Sequence, residues 1–144
     1  MTELVLVPCP NCNALNRLPA GRLHEHGNCG RCRKPLFAGN PIHLRADNFD
    51  IHGGRSDIPL LVDFWAPWCG PCRSMEPAFA AAAARLEPEV RLGKVNTEEE
   101  QALAARFGIR SIPTLVLIKG GRELARHSGA MSTDGIVRWL TANR

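Results

Sequence analysis

Leu60-Leu61-Val62-Asp63-Phe64-Trp65-Ala66-Pro67-Trp68-Cys69-Gly70-Pro71-Cys72 is the stretch that decides how this chain is read. Leu60 to Trp65 is apolar except for Asp63, which predicts a buried strand. Cys72, Met75, Phe79, Ala83 and Leu86 then recur at helical spacing, which predicts an amphipathic helix over 70–86. Pro77 has no N–H to offer the Arg73 carbonyl, so a kink is expected inside it. Two thiols two residues apart thus stand where a strand hands over to a helix. At a helix N-terminus, free N–H groups and the helix dipole stabilise a thiolate on Cys69. Cys72, one turn further in, is expected to be shielded and close enough to attack a disulfide formed on Cys69. Gly70 and Pro71 fix the turn without bulk that would keep a substrate away. Asp63 is conspicuous as a lone acid inside an apolar strand.

Outward from this stretch, short strands alternate with helices. Asp47 to Asp50 suggests a short polar-capped helix, the extra element expected at 42–50 ahead of the alternating pattern. Val90 to Val95 reads as a strand, and Thr97 as the cap of a helix whose first turn is Glu98-Glu99-Glu100 and whose end is Gly108. Thr114 to Ile118 and Glu123 to His127 form a hairpin about Gly120-Gly121. A final helix begins at Ser132 or Thr133 and turns Ile136, Val137 and Leu140 inward. Strand–helix–strand units need parallel neighbours and the hairpin adds an antiparallel strand. The expected architecture is therefore α/β, a mixed sheet with helices on both faces.

Residues 1–40 are different: rich in Pro, Gly, Asn, Cys and Arg, and too poor in large apolar residues to fold without a staple. Gly39-Asn40-Pro41 marks a turn, which places the boundary between a 1–40 segment and a 41–144 domain. Cys9-Pro10-Asn11-Cys12 and Cys29-Gly30-Arg31-Cys32 are separated by sixteen residues, the spacing of a four-thiolate zinc site. Each pair forms a knuckle that presents two sulfurs, and two knuckles complete a tetrahedron. One structural Zn2+ per chain is expected on Cys9, Cys12, Cys29 and Cys32, with no open position for catalysis. Two disulfides or a second redox pair are the competing uses. His24 and His26 lie between the knuckles and read as surface residues.

The 144 residues carry 44% apolar and 22% charged residues, a soluble balance with no run long enough to cross a membrane. Met1 to Pro8 lacks the basic start and long apolar region of a secretory signal, so a cytoplasmic location is expected. There C-x-x-C means metal or redox chemistry rather than a structural disulfide. Of the net charge of +4, residues 1–44 hold +3, five Lys/Arg against two acidic residues. With no aromatic interleaving beyond Phe37, that is a solvated surface, and a nucleic-acid partner is not expected.

Val62-Asp63-Phe64-Trp65-Ala66, Trp68-Cys69-Gly70-Pro71-Cys72, Lys94-Val95-Asn96, Ile112-Pro113-Thr114 and Ser128-Gly129-Ala130 occur in the order seen in thioredoxins. Over roughly residues 42–144 the chain resembles that family. With its four N-terminal cysteines it resembles the zinc-binding bacterial thioredoxins of the thioredoxin 2 type. The resemblance implies a thioredoxin-like fold preceded by a small zinc-ribbon-like segment. It implies that Cys69 attacks, Cys72 resolves, Asp63 is the buried carboxylate beneath them and exchanges protons with Cys72, and Lys94 lies near that acid. It implies a cis-proline at Pro113, and a substrate surface made of Trp68, Gly70, Pro71, Ile112, Pro113, Gly129 and Ala130, with Trp65 in the core. Pro67 stands where many relatives carry an acidic residue.

The expected activity is that of a thiol-disulfide oxidoreductase, a general protein-disulfide reductase. The family implies disulfide-containing protein substrates and recycling by an NADPH-dependent thioredoxin reductase; the chain has no Gly-rich phosphate loop of its own. A monomer is expected, and the zinc segment is expected to respond to oxidation, because its thiolates are oxidisable. The competing reading is a binding module, in which the basic zinc segment grips protein or nucleic acid and the larger domain is a scaffold.

Overall fold

The computed structural model describes residues 3–25 and 27–144; His26 lies outside them. In chain order the elements are β1 (Leu4–Pro8), β2 (Leu15–Pro19), β3 (Ile42–His43), α1 (Phe49–Gly54), β4 (Leu60–Trp65), α2 (Gly70–Leu86), β5 (Arg91–Asn96), α3 (Gln101–Arg106), β6 (Thr114–Lys119), β7 (Arg122–Ser128) and α4 (Thr133–Asn143).

β4 is apolar on both faces because it lies mid-sheet. Five strands run in the order β3-β5-β4-β6-β7. β3 and β4 flank β5 in parallel, while β6 pairs antiparallel with β4 and β7 with β6. One layer joins Leu61, Leu92, Leu115 and Leu117 to Met75 and Phe79 of α2 and to Ile136 and Leu140 of α4. The other joins Leu60, Val62, Phe64, Val116 and Ile118 to Phe49 of α1 and Leu103 of α3. The expected mixed sheet with helices on both faces is the observed fold. A Cβ at Gly93 would collide with the buried Leu44 side chain, which would have to shift to admit it.

α2 runs through Pro77 without ending. α3 begins at Gln101, later than the expected start behind Thr97. Both the amide and the hydroxyl of Thr97 donate to the Trp65 carbonyl, at 2.8 and 3.1 Å, and Asn96 Oδ1 accepts the Glu98 amide at 2.9 Å. These bonds hold the chain in a turn, so the acidic triplet precedes the helix. The N-terminal segment contains an antiparallel hairpin, β1 with β2, that the amino-acid pattern did not announce. Among the described residues no helix is long and apolar enough to cross a membrane.

Candidate active site and metal centre

Cys69 is the N-cap of α2, and Cys72 lies in its first turn. Their sulfurs are joined as a disulfide, with Cα atoms 5.3 Å apart. The Cys72 amide donates to Cys69 Sγ at 3.2 Å, so a helix N–H points at the sulfur expected to become a thiolate. Both cysteines are buried, packed with Ala66 and against Trp65 and Ile112. The rim that remains open, Gly70 and Pro71, is exposed.

Asp63 is 1% exposed, on the sheet face that α2 covers. Its Oδ1 has no hydrogen-bond partner among the described residues. Burial pushes the carboxyl up from 3.8 to about 7; Lys94 pulls it down and Glu76 pushes it further up. Lys94 is the register partner of Asp63 on the neighbouring strand, yet its Nζ lies 3.6 Å from Glu76 and 4.4 Å over the Trp65 ring. Glu76, on α2, went unnoticed in the sequence; its signal was a charge four residues after Cys72, one turn along the same helix face.

The remaining site positions gather around the pair. Ile112 and Pro113 are joined by a cis peptide bond. The Ile112 carbonyl lies 3.7 Å from Cys69 Sγ, and the Gly129 amide donates to the Pro113 carbonyl at 2.9 Å. Gly129 holds φ at +107°, a value a side chain would strain, and Ala130 follows it at the surface. Trp68 is 68% exposed, its indole N–H donating to Glu98. With Ile112, Ile109 and Ala104 it borders a shallow groove of about 180 Å³ beside the disulfide. Trp65 is half-buried under the Lys94 ammonium.

The other four cysteines converge. Their sulfurs all lie within 4.8 Å of one another, with Cys9 to Cys32 at 3.6 Å and Cys12 to Cys29 at 3.7 Å. These separations are too long for disulfides and match the edge of roughly 3.8 Å that four sulfurs ~2.3 Å from a zinc ion define. The two knuckles repeat one another. Asn13 and Arg33 each take positive φ, and their amides donate to the Cys9 and Cys29 carbonyls at 3.0 and 2.9 Å. Asn16 ties them together, accepting the Gly30 amide at 2.9 Å while its own amide lies 3.5 Å from Cys29 Sγ. The Cys32 amide and Asn16 hold Cys29 down at about 6, whereas burial pushes Cys9 up to about 11. A divalent cation bound between such thiols removes their protons outright. The donor set fits a closed metal site; His24, exposed and 3.5 Å from Glu89, takes no part in it.

This segment is docked on the larger domain through groups the sequence did not single out. Arg91 at the start of β5 is 2% exposed. It bonds Glu87 at 3.0 Å, reaches the Pro8 carbonyl at 3.1 Å, beside Cys9, and stacks 4.5 Å from the Phe37 ring. Glu87 also accepts the Gly39 amide at 2.7 Å. Leu6 and Asp57 exchange two hydrogen bonds, and buried His52 donates to Asn13 Oδ1 at 3.0 Å.

Two family models match stretches of this chain. A family model described as thioredoxin matches residues 40–142, and one described as thioredoxin 2, N-terminal, matches residues 8–34. The chain is similar to thioredoxin C-3 of Corynebacterium nephridii, 44% identical over 136 residues, which cover 94% of this chain and 93% of the relative. It is 44% identical over 99 residues to a thioredoxin of Haemophilus influenzae, covering 69% of this chain and 92% of that one. A solved mutant thioredoxin from Halobacterium salinarum superposes with a TM-score of 0.66 at 29% identity, covering 74% of this chain and 93% of that one.

Proposed function

The chain belongs to the thioredoxin family and is a thiol-disulfide oxidoreductase, and from that premise we propose that it is a general protein-disulfide reductase working through Cys69 and Cys72. The Cys69 thiolate attacks a substrate disulfide and expels one substrate thiolate, leaving a mixed disulfide. Cys72 gives its proton to the Asp63 carboxylate and attacks Cys69 Sγ. The second substrate sulfur leaves as a thiolate and takes a proton from solvent, and two electrons have passed from the dithiol to the substrate. An NADPH-dependent thioredoxin reductase returns the pair to the dithiol. Trp68, Gly70, Pro71, Ile112, Pro113, Gly129 and Ala130 receive an extended substrate segment, Lys94 acts on Asp63 by charge, and the reaction belongs to the cytoplasm.

The observation that supports this reading is the disulfide at the start of α2, capped by its own helix N–H, on the sheet face that holds a buried carboxyl at a neutral pKa. The four thiolates of Cys9, Cys12, Cys29 and Cys32 hold one structural Zn2+ per chain, which supplies the cross-link that a core-poor segment needs. Oxidation of those thiolates by a peroxide would release the ion and loosen the segment. Zinc release and activity, followed together along a peroxide titration, check this; activity indifferent to zinc loss removes the regulatory part.

Insulin reduction in the presence of thioredoxin reductase and NADPH tests the activity. Turnover is expected with the native chain and is abolished in Cys69→Ser, while Cys72→Ser accumulates the mixed disulfide. Turnover that survives Cys69→Ser would sink the mechanism.

A further inference from the structure

Asp63 and Lys94 face each other across β4 and β5 in register, an arrangement that ordinarily closes into an ion pair and draws the carboxyl pKa down. Here the ammonium goes elsewhere. Lys94 Nζ sits over the Trp65 ring and 3.6 Å from Glu76, whose carboxylate stands 58% exposed on α2. Among the described residues no other carboxylate is within ion-pair distance of Lys94. Asp63 is left in an apolar layer with one oxygen unpartnered.

The surroundings of Asp63 isolate this pair. From β5 the charged neighbour is Lys94, and from α2 it is Glu76, with the disulfide-bonded Cys72 on the same helix. β6 presents Leu115 and Leu117 to this layer and α4 presents Ile136 and Leu140, all apolar. Among the described residues, two charges therefore act on the carboxyl, with opposite signs, and one of them holds the other.

We propose that Glu76 is a positioning residue for the redox reaction: by holding the Lys94 ammonium at the rim and adding its own negative charge, it sets the proton affinity of Asp63 and with it the pH at which Cys72 is activated. The proposal rests on the assignment of Asp63 as proton acceptor for Cys72. Glu76→Gln removes the charge at nearly constant shape, on an exposed helix turn where folding is undisturbed.

The direct readout is the Asp63 carboxyl followed by 13C NMR across pH in the oxidised protein. In Glu76→Gln its midpoint is expected to fall by roughly 0.5–1 pH unit, the low end for a nearby charge because Glu76 is solvent-screened. The ascending limb of the pH–rate profile for insulin reduction should move down with it. In a Lys94→Gln background the same substitution should shift the midpoint by less than about half as much, since only direct repulsion is left. An unmoved Asp63 midpoint in Glu76→Gln overturns the inference, as does an equal shift with and without Lys94. Failure of the underlying assignment looks different: Asp63→Asn would leave the native pH–rate profile in place.

Discussion

Replacing Asp63 by Asn should make the oxidised protein more stable, by an amount that depends on pH in a defined way. The native state keeps the Asp63 proton up to about pH 7, whereas the unfolded chain releases it near 3.8. Between those values the native state binds the extra proton, so stability falls as pH rises. The contribution is fully present below 3.8 and lost as pH climbs through about 7. At ~1.4 kcal/mol per pKa unit, the native chain forfeits about 4 kcal/mol between pH 4 and pH 8.5, a value little reduced by solvent because the carboxyl is 1% exposed. Asn has nearly the shape of the protonated acid and cannot ionise. Its advantage over the native chain should therefore be small at pH 4, grow through pH 5.5 and 7, and level off above. Guanidinium denaturation of both metal-loaded, oxidised proteins at those pH values gives the difference curve, in which all other titrations cancel. Any constant offset from the substitution leaves the slope intact. A difference that is flat from pH 4 to 8.5 would refute the claim that burial governs this carboxyl.

Three further outcomes follow from the geometry. Arg91→Met should cost about 3–5 kcal/mol, because it leaves Glu87 charged and unpaired in the interior. It should also speed metal loss to a chelator, and pairing it with Glu87→Gln should recover part of both effects. Removing the metal with a chelator at neutral pH should erase hydrogen-exchange protection in β1 and β2 while β4, β5 and β6 keep theirs, since only the N-terminal segment depends on the cross-link. Trp68→Ala should leave the denaturation midpoint unchanged, as the ring is 68% exposed, and lower kcat/KM for insulin by roughly 5–10-fold through loss of an aromatic contact.

The parts of the fold legible in the sequence are those governed by local pattern. Leu60 to Trp65 declares a buried strand, Asp63 declares itself an exception within it, and the paired knuckles declare a metal site by spacing alone. The β1–β2 hairpin was not legible, because Asn16 and Arg17 break the alternation of β2 and its pairing depends on the knuckle between the strands. The late start of α3 was hidden for a related reason. Thr97 has the chemistry of a cap, but the Trp65 carbonyl on the neighbouring strand takes its hydrogen bonds first. Arg91, Glu87 and His52 meet their partners across 30 residues or more of chain in the docked segment, and no window along the sequence reports such encounters.

β5 has Arg91 at one end, reaching the carbonyl beside Cys9, and Asn96 at the other, level with Trp65 at the approach to Cys69. At a rise of ~3.3 Å per residue those ends are about 16 Å apart. Thiol–disulfide exchange requires sulfur to touch sulfur. The strand therefore acts as an insulator: Cys69 and Cys72 can cycle between oxidised and reduced states while the other four sulfurs in the same molecule stay as they are. Scrambling among the six would need a second molecule or an unfolded segment.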